Sequence, residues 1–143
     1  MNIMTKELII KLLKEGKINS ENAGTSMWGI DLAGEDFTGC DLSGIDFTRA
    51  NLAGCNFANA KLDNCIFKQA NLMSAILNGA TATNAWFNNA DLAYASCIDA
   101  GFEGAHMDFA DLSNIDVTNA NTNWYGAESA DARYIIYNNK EVK

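Results

Sequence analysis

The side chains able to bind a metal, attack a carbonyl or move a proton are four cysteines (Cys40, Cys55, Cys65, Cys97), one histidine (His106) and 18 carboxylates. Their spacing does little with that chemistry. No two cysteines form a CxxC pair, so neither a zinc site nor a redox motif is indicated. His106 has Asp108 two residues on, but no nucleophile is evidently held against it. No glycine-rich stretch follows a phosphate-binding spacing. These residues therefore predict no enzyme, no cofactor and no metal, and His106 reads as a surface residue. The carboxylates outnumber 10 lysines and arginines, for a net charge of −8. That balance opposes direct nucleic-acid binding, which needs cations to neutralise phosphates, and opposes an anionic membrane surface.

Length and composition bound the rest. The chain of 143 residues is 48% hydrophobic, the size and composition of one folded domain, and it contains no proline. The longest apolar run near the N-terminus, Leu8-Ile9-Ile10, is broken by Lys11. It falls short of the ~7–15 apolar residues of a secretory signal, and nothing approaches the ~20 of a membrane span. Cytoplasmic residence and reduced thiols are the expectation.

The elements that must position these residues follow a period of five. Every fifth residue from Leu32 to Val117 is hydrophobic at all 18 positions. Two residues earlier in each pentad stand 11 Ala, 3 Cys, 3 Ile and one Glu, the last being Glu35. A plain helix or strand, with periods of about 3.6 and 2, cannot hold both sets on one side, so the chain must turn once per pentad. Two residues after each central residue, 12 of 18 positions are Gly or Asn, the residues that best tolerate positive φ. All four cysteines fall at inward phases and read as small buried hydrophobes. Glu35 is the one charged residue at such a phase and lies in the first coil.

Segments such as Ala50-Asn51-Leu52-Ala53-Gly54, Ala70-Asn71-Leu72-Met73-Ser74 and Ala90-Asp91-Leu92-Ala93-Tyr94 resemble the pentapeptide-repeat family, with its A-(D/N)-L-x-x consensus. The resemblance implies an all-β solenoid, a right-handed quadrilateral β-helix with four pentads per coil. Residues twenty apart then stack, and about five coils make a rod ~25 Å tall. The central residues sort into four columns, the last of them Leu42, Leu62, Ala82, Phe102 and Thr122. Residues 1–25 form a helical cap and loop, 26–133 the β-helix, and 134–143 a C-terminal cap and tail. Within the first segment Thr5 to Glu15 reads as the helix, with Thr5 as N-cap and Gly16 ending it.

Two surfaces invite a partner. Ile66, Trp86 and His106 share an outward phase in successive coils, with Phe109 at the next corner and Tyr94 and Met73 around it. At the far end Trp124, Tyr125, Tyr134, Ile135, Ile136 and Tyr137 cluster, as a cap or a homodimer seam. Family precedent favours a dimer through that end. Residues 27–133 carry 14 acidic against 4 basic residues. A solvated, repulsive surface accounts for such charge. The resemblance adds the alternative of an acidic DNA mimic that binds DNA gyrase, inhibiting it or protecting it from fluoroquinolones. The first reading is a non-enzymatic structural or protein-interaction module whose partner the sequence does not name.

Overall fold

The computed structural model describes residues 4–23, 27–126 and 130–131, and the backbone of 135–137 and 140–142. The expected domain edges at 25/26 and 133/134, and Tyr134, lie outside the described residues, as do the side chains of Ile135, Ile136 and Tyr137.

From Asp31 onward the chain coils with four corners per twenty residues. Parallel bridges join Asp31 to Asn51, Asp36 to Asn56, Asp41 to Lys61 and Asp46 to Ile66, and the same four sides repeat upward. Each contact is a single bridge residue rather than a strand, because the next residue points inward and the two after it already turn. The pentad Ala50–Gly54 shows how the backbone is satisfied. Ala50 N–H closes the preceding turn on Phe47 O at 2.9 Å. Asn51 N–H reaches down to Ile30 O at 2.8 Å, and Leu52 and Gly54 N–H reach up to Asn71 O and Met73 O at 2.7 and 2.9 Å. The remaining N–H, on Ala53, donates to the Asn51 side-chain Oδ1 at 3.2 Å. The five donors of this pentad thus find five acceptors, one of them a side chain, in accord with the rule that buried backbone polar groups are paired.

All 18 corner residues from Gly34 to Asn119 have positive φ. Six of them are neither Gly nor Asn: Arg49, Gln69, Ser74, Tyr94, Asp99 and Phe109. The coil therefore imposes the left-handed conformation whatever residue arrives there, at roughly 1 kcal/mol for a bulky side chain.

The core is the set of four central columns. Leu32, Leu52, Leu72, Leu92 and Leu112 are buried, and Phe47, Phe67 and Phe87 stack face to face with centroids 5.5 and 4.9 Å apart. Phe37 stacks on Phe57 at 5.6 Å. Ala82 leaves room beside Phe102, which meets the Phe87 ring edge-on at 5.9 Å. Each buried Leu or Phe contributes about 1.5–3 kcal/mol.

Helix α1 spans Lys6–Lys14, with Thr5 Oγ1 accepting from Leu8 N–H at 3.2 Å and Gly16 at φ +68 beyond its end. It buries Leu13 in the same apolar cluster as Leu32 and Phe37, with Ile9, Ile10 and Leu12 packed alongside.

The register changes near the other end, and there the expectation needs correcting. Gly101 bridges Asn121, twenty residues on, but His106 bridges Tyr125, only nineteen on. The chain takes a four-residue step where Thr122 offers no apolar side chain to the interior. Trp124, not Thr122, packs against Phe102, with centroids 5.6 Å apart. The expected polar tail is also revised: Lys140–Val142 (β2) pairs antiparallel with Ile135–Tyr137 (β1), Ile136 opposite Glu141.

Candidate functional site

The carboxylates that dominate the exterior are engaged by the fold itself. Asp36, Asp41 and Asp46 each accept from the N–H two residues on and from its hydroxyl: Thr38 Oγ1 at 2.6 Å, Ser43 Oγ at 2.7 Å and Thr48 Oγ1 at 2.5 Å. Asp111 and Asp116 do the same with Ser113 and Thr118, and Asp91 accepts from Ala93 N–H at 2.9 Å. Hydrogen bonds to the ionised form hold the Asp36 and Asp41 carboxyls below their ordinary value, led by the Thr38 and Ser43 hydroxyls. At Asp46 partial burial pushes the carboxyl up, but bonds from Thr48 and the Trp28 indole outweigh it, and the net shift is downward. Asn51, Asn56, Asn71 and Asn121 make the same bond with an amide oxygen. Where Asp or Asn holds the position, the acceptor oxygen makes the bond, and the charge is incidental to it.

The cysteines are equally occupied with structure. Cys55 and Cys65 donate to Leu32 O and Leu42 O in the coil below, at 2.9 and 3.0 Å, and burial pushes their thiols up to about 11 and about 12. Cys97 is raised further by the same cause. A thiol so raised has little thiolate with which to react or bind metal. Among the described residues no group of three or more His, Cys, Asp or Glu side chains is placed to hold a metal ion. Glu35 is half-buried beside the first coil's turn.

One side of the coil is different. Its bridge residues run Asp46, Ile66, Trp86, His106, Tyr125. The Trp86 and His106 rings stack nearly parallel at 4.1 Å, and Tyr125 follows His106 at 5.3 Å. Lys68 sets its ammonium 4.7 Å from the Trp86 ring centre, and below it Arg49 lies 5.9 Å from the Trp28 ring. The Trp28 indole N–H donates to Asp46 at 2.9 Å. The result is a continuous outward ladder of rings, with two cations at its lower end.

The structure therefore joins Ile66, Trp86 and His106 as the spacing predicts, and Phe109 stands at the corner that follows them. Met73 and Tyr94 stand at the next corner, across the side that carries Asp91 and Asp111, with Ile76 just beyond. Phe109 and Tyr94 are 68% and 62% exposed, both at positive φ, so two aromatics are presented to solvent from strained corners. The terminal cluster divides: Trp124 faces the core, whereas Tyr125 is 63% exposed and tops the ladder. The sequence pattern missed Tyr125 because the four-residue step takes it out of the period of twenty. It missed Lys68 because nothing but position, two residues past Ile66, places it under Trp86.

The comparisons with known proteins agree with this architecture. The family model "Pentapeptide repeats" matches in eight copies over residues 23–54, 50–88 and 85–121. A pentapeptide repeat protein from the Arabidopsis thaliana thylakoid lumen is 32% identical over 64% of this chain and 68% of its own, with a TM-score of 0.53. One from the cyanobacterium Cyanothece 51142 is 21% identical over 78% of this chain and 82% of its own, with a TM-score of 0.52. QnrB1, a plasmid-mediated fluoroquinolone resistance protein, is 16% identical over 78% and 84%, with a TM-score of 0.42. No curated protein matches the chain. With its coil of four sides, its positive-φ corners and its repeat matched over most of its length, this chain belongs to the pentapeptide-repeat family, generally non-enzymatic proteins that fold as right-handed quadrilateral β-helices.

Proposed function

We propose that the chain is a non-enzymatic protein-interaction module, a short rod of about five coils closed below by α1 and above by Trp124 and the segment carrying β1 and β2. Its docking surface is the ring ladder Ile66–Trp86–His106–Tyr125 with Phe109 at its corner. The observation that carries this reading is the ladder itself: stacked rings face outward on a surface whose carboxylates are engaged in turns. Aromatic residues, Trp above all, dominate binding hot spots, and contiguous apolar strips mark interfaces. The reading is tested with Trp86→Ala. An outward ring should cost far less stability than the ~3–5 kcal/mol of a buried aromatic, so the variant should melt close to the parent yet fail to bind. A variant that binds as the parent does removes the ladder from the surface.

The gyrase-binding DNA mimic is supported by the successive rungs Asp91, Asp111 and Asp131 on one side. It ranks second because the same column continues down through Asn71 and Asn51, where the turn bond persists and the charge does not. Supercoiling by gyrase, with and without the protein, separates the two readings. Inhibition, or relief of fluoroquinolone inhibition, would favour the mimic.

A further inference from the structure

The ladder is polar along its length. At its lower end are Arg49 and Lys68, two of the four basic residues between positions 27 and 133. At its upper end, on the same corner as Lys68, stands Asp108, whose Oδ2 accepts from Asn88 Nδ2 at 3.1 Å. Midway between Lys68 and Asp108 lies the Trp86 rung. We propose that a second copy of this chain docks on the ladder, antiparallel to the first, about a two-fold axis passing beside Trp86.

A two-fold axis lying across both rods reverses height while keeping each corner against its own counterpart. The order of the rungs then complements itself. Trp86 meets Trp86 of the copy, Ile66 meets His106, and Asp46 meets the Tyr125 hydroxyl. Lys68 meets Asp108 twice, once in each direction, and Phe109 lies on Gln69, whose Oε1 already accepts from Arg49 Nε at 2.7 Å. The parallel alternative pairs Lys68 with Asp63 but sets Asp46 against Asp46 and Asp108 against Glu103, and its axis holds both edges equally close, so it cannot lean away from the repulsive one. The antiparallel pairing has one unfavourable edge, where Asp63 faces Glu103 on the other corner. The contact therefore leans toward the Lys68–Phe109 edge. Four steps of ~4.8 Å make a strip ~19 Å long. At about one side chain wide it buries much less than the ~800 Å² per partner of a standard interface, so the dimer is weak and forms at high protein concentration. This inference rests on the ladder being a protein-docking surface and names its occupant.

Sedimentation velocity over a concentration series, on the full chain, tests it. The parent should shift reversibly from monomer toward dimer as concentration rises, and Trp86→Ala should remain monomeric. Lys68→Glu and Asp108→Lys each set like charges against each other and should weaken dimerisation at least tenfold. An equimolar mixture of those two variants restores both ion pairs in the mixed dimer and should recover association, which no folding defect would do. If Asp108→Lys does not fold, Trp86→Ala and Lys68→Glu, both altered at exposed positions, decide the question. A parent that stays monomeric at every concentration overturns the dimer and leaves the ladder to another protein. A dimer indifferent to Trp86 and Lys68, or lost on truncation after Ala132, places the contact elsewhere and also overturns it. Failure of two folded variants to complement overturns the antiparallel arrangement.

Discussion

Replacing Asp91 separates charge from hydrogen bonding on the acidic side. Asp91 Oδ1 accepts from Ala93 N–H at 2.9 Å, the donor that no backbone carbonyl takes in this pentad. Asp91→Asn keeps an acceptor oxygen in place, as Asn71 shows one rung below, where Met73 N–H donates to Asn71 Oδ1 at 3.0 Å. It also removes one of two carboxylates on neighbouring rungs, Asp91 and Asp111, which bridge directly. At the ~4.8 Å rung spacing that repulsion is worth about 1 kcal/mol in water. The Asn variant should therefore match the parent or gain slightly. Asp91→Ala removes the acceptor and leaves Ala93 N–H without it, a loss of about 1 kcal/mol by analogy with helix N-caps. For a chain of this length that lowers Tm by about 3–5 °C. Thermal melts of the three proteins in one buffer make the comparison. An Ala variant as stable as the parent, or an Asn variant as damaged as the Ala variant, would refute the assignment of these residues to the turns.

Phe67→Ala removes a buried ring stacked on both Phe47 and Phe87, and should cost about 3–5 kcal/mol and lower Tm by 10 °C or more; a fall of only a few degrees would contradict the filled core. Burial raises all four thiols, but Cys40 is only half-buried whereas Cys55, Cys65 and Cys97 are buried, so a thiol reagent under native conditions should modify one cysteine well before the other three, which react only on unfolding. Two or more fast thiols would show that the coils open. Asp36, Asp41 and Asp46 have carboxyls depressed below 3.8 in the fold, so their contribution is present above the unfolded value and is lost as pH falls through the folded ones. Tm should hold from about pH 7 to 5 and drop below about 4; a Tm that climbs on acidification would mean that repulsion among the carboxylates outweighs their turn bonds.

Most of the coil was legible in the sequence because period five leaves the chain one way to keep two apolar positions inside. Phe47, Phe67 and Phe87 could be stacked on paper, and so could Ile66, Trp86 and His106. The duty of the aspartates was not legible. A run such as Asp31, Asp36, Asp41 and Asp46 reads as surface charge until Oδ1 is seen against the N–H two residues on. Thr122 marked the end of the pattern but not the size of the step, and one residue fewer moved Tyr125 from the terminal cluster to the ladder. Phe109 and Tyr94 were read for their side chains, whereas the backbone adds the strain of positive φ at both. The pairing of Lys140–Val142 was missed because Lys140 and Glu141 look like a polar tail, and only a partner such as Ile135–Tyr137 turns such a segment into a strand.

The central question is which side of the rod docks a second copy of the chain. Backbone amide and indole NMR spectra of the uniformly labelled protein, recorded over a dilution series from high concentration, read that side directly. Concentration-dependent shifts are expected at the Trp86 indole and at the amides of Ile66, Lys68, His106 and Phe109, with Asp91 and Asp111 unmoved. Shifts concentrated on the Asp91–Asp111 side, or no change anywhere on the ladder, would contradict self-docking through the ladder.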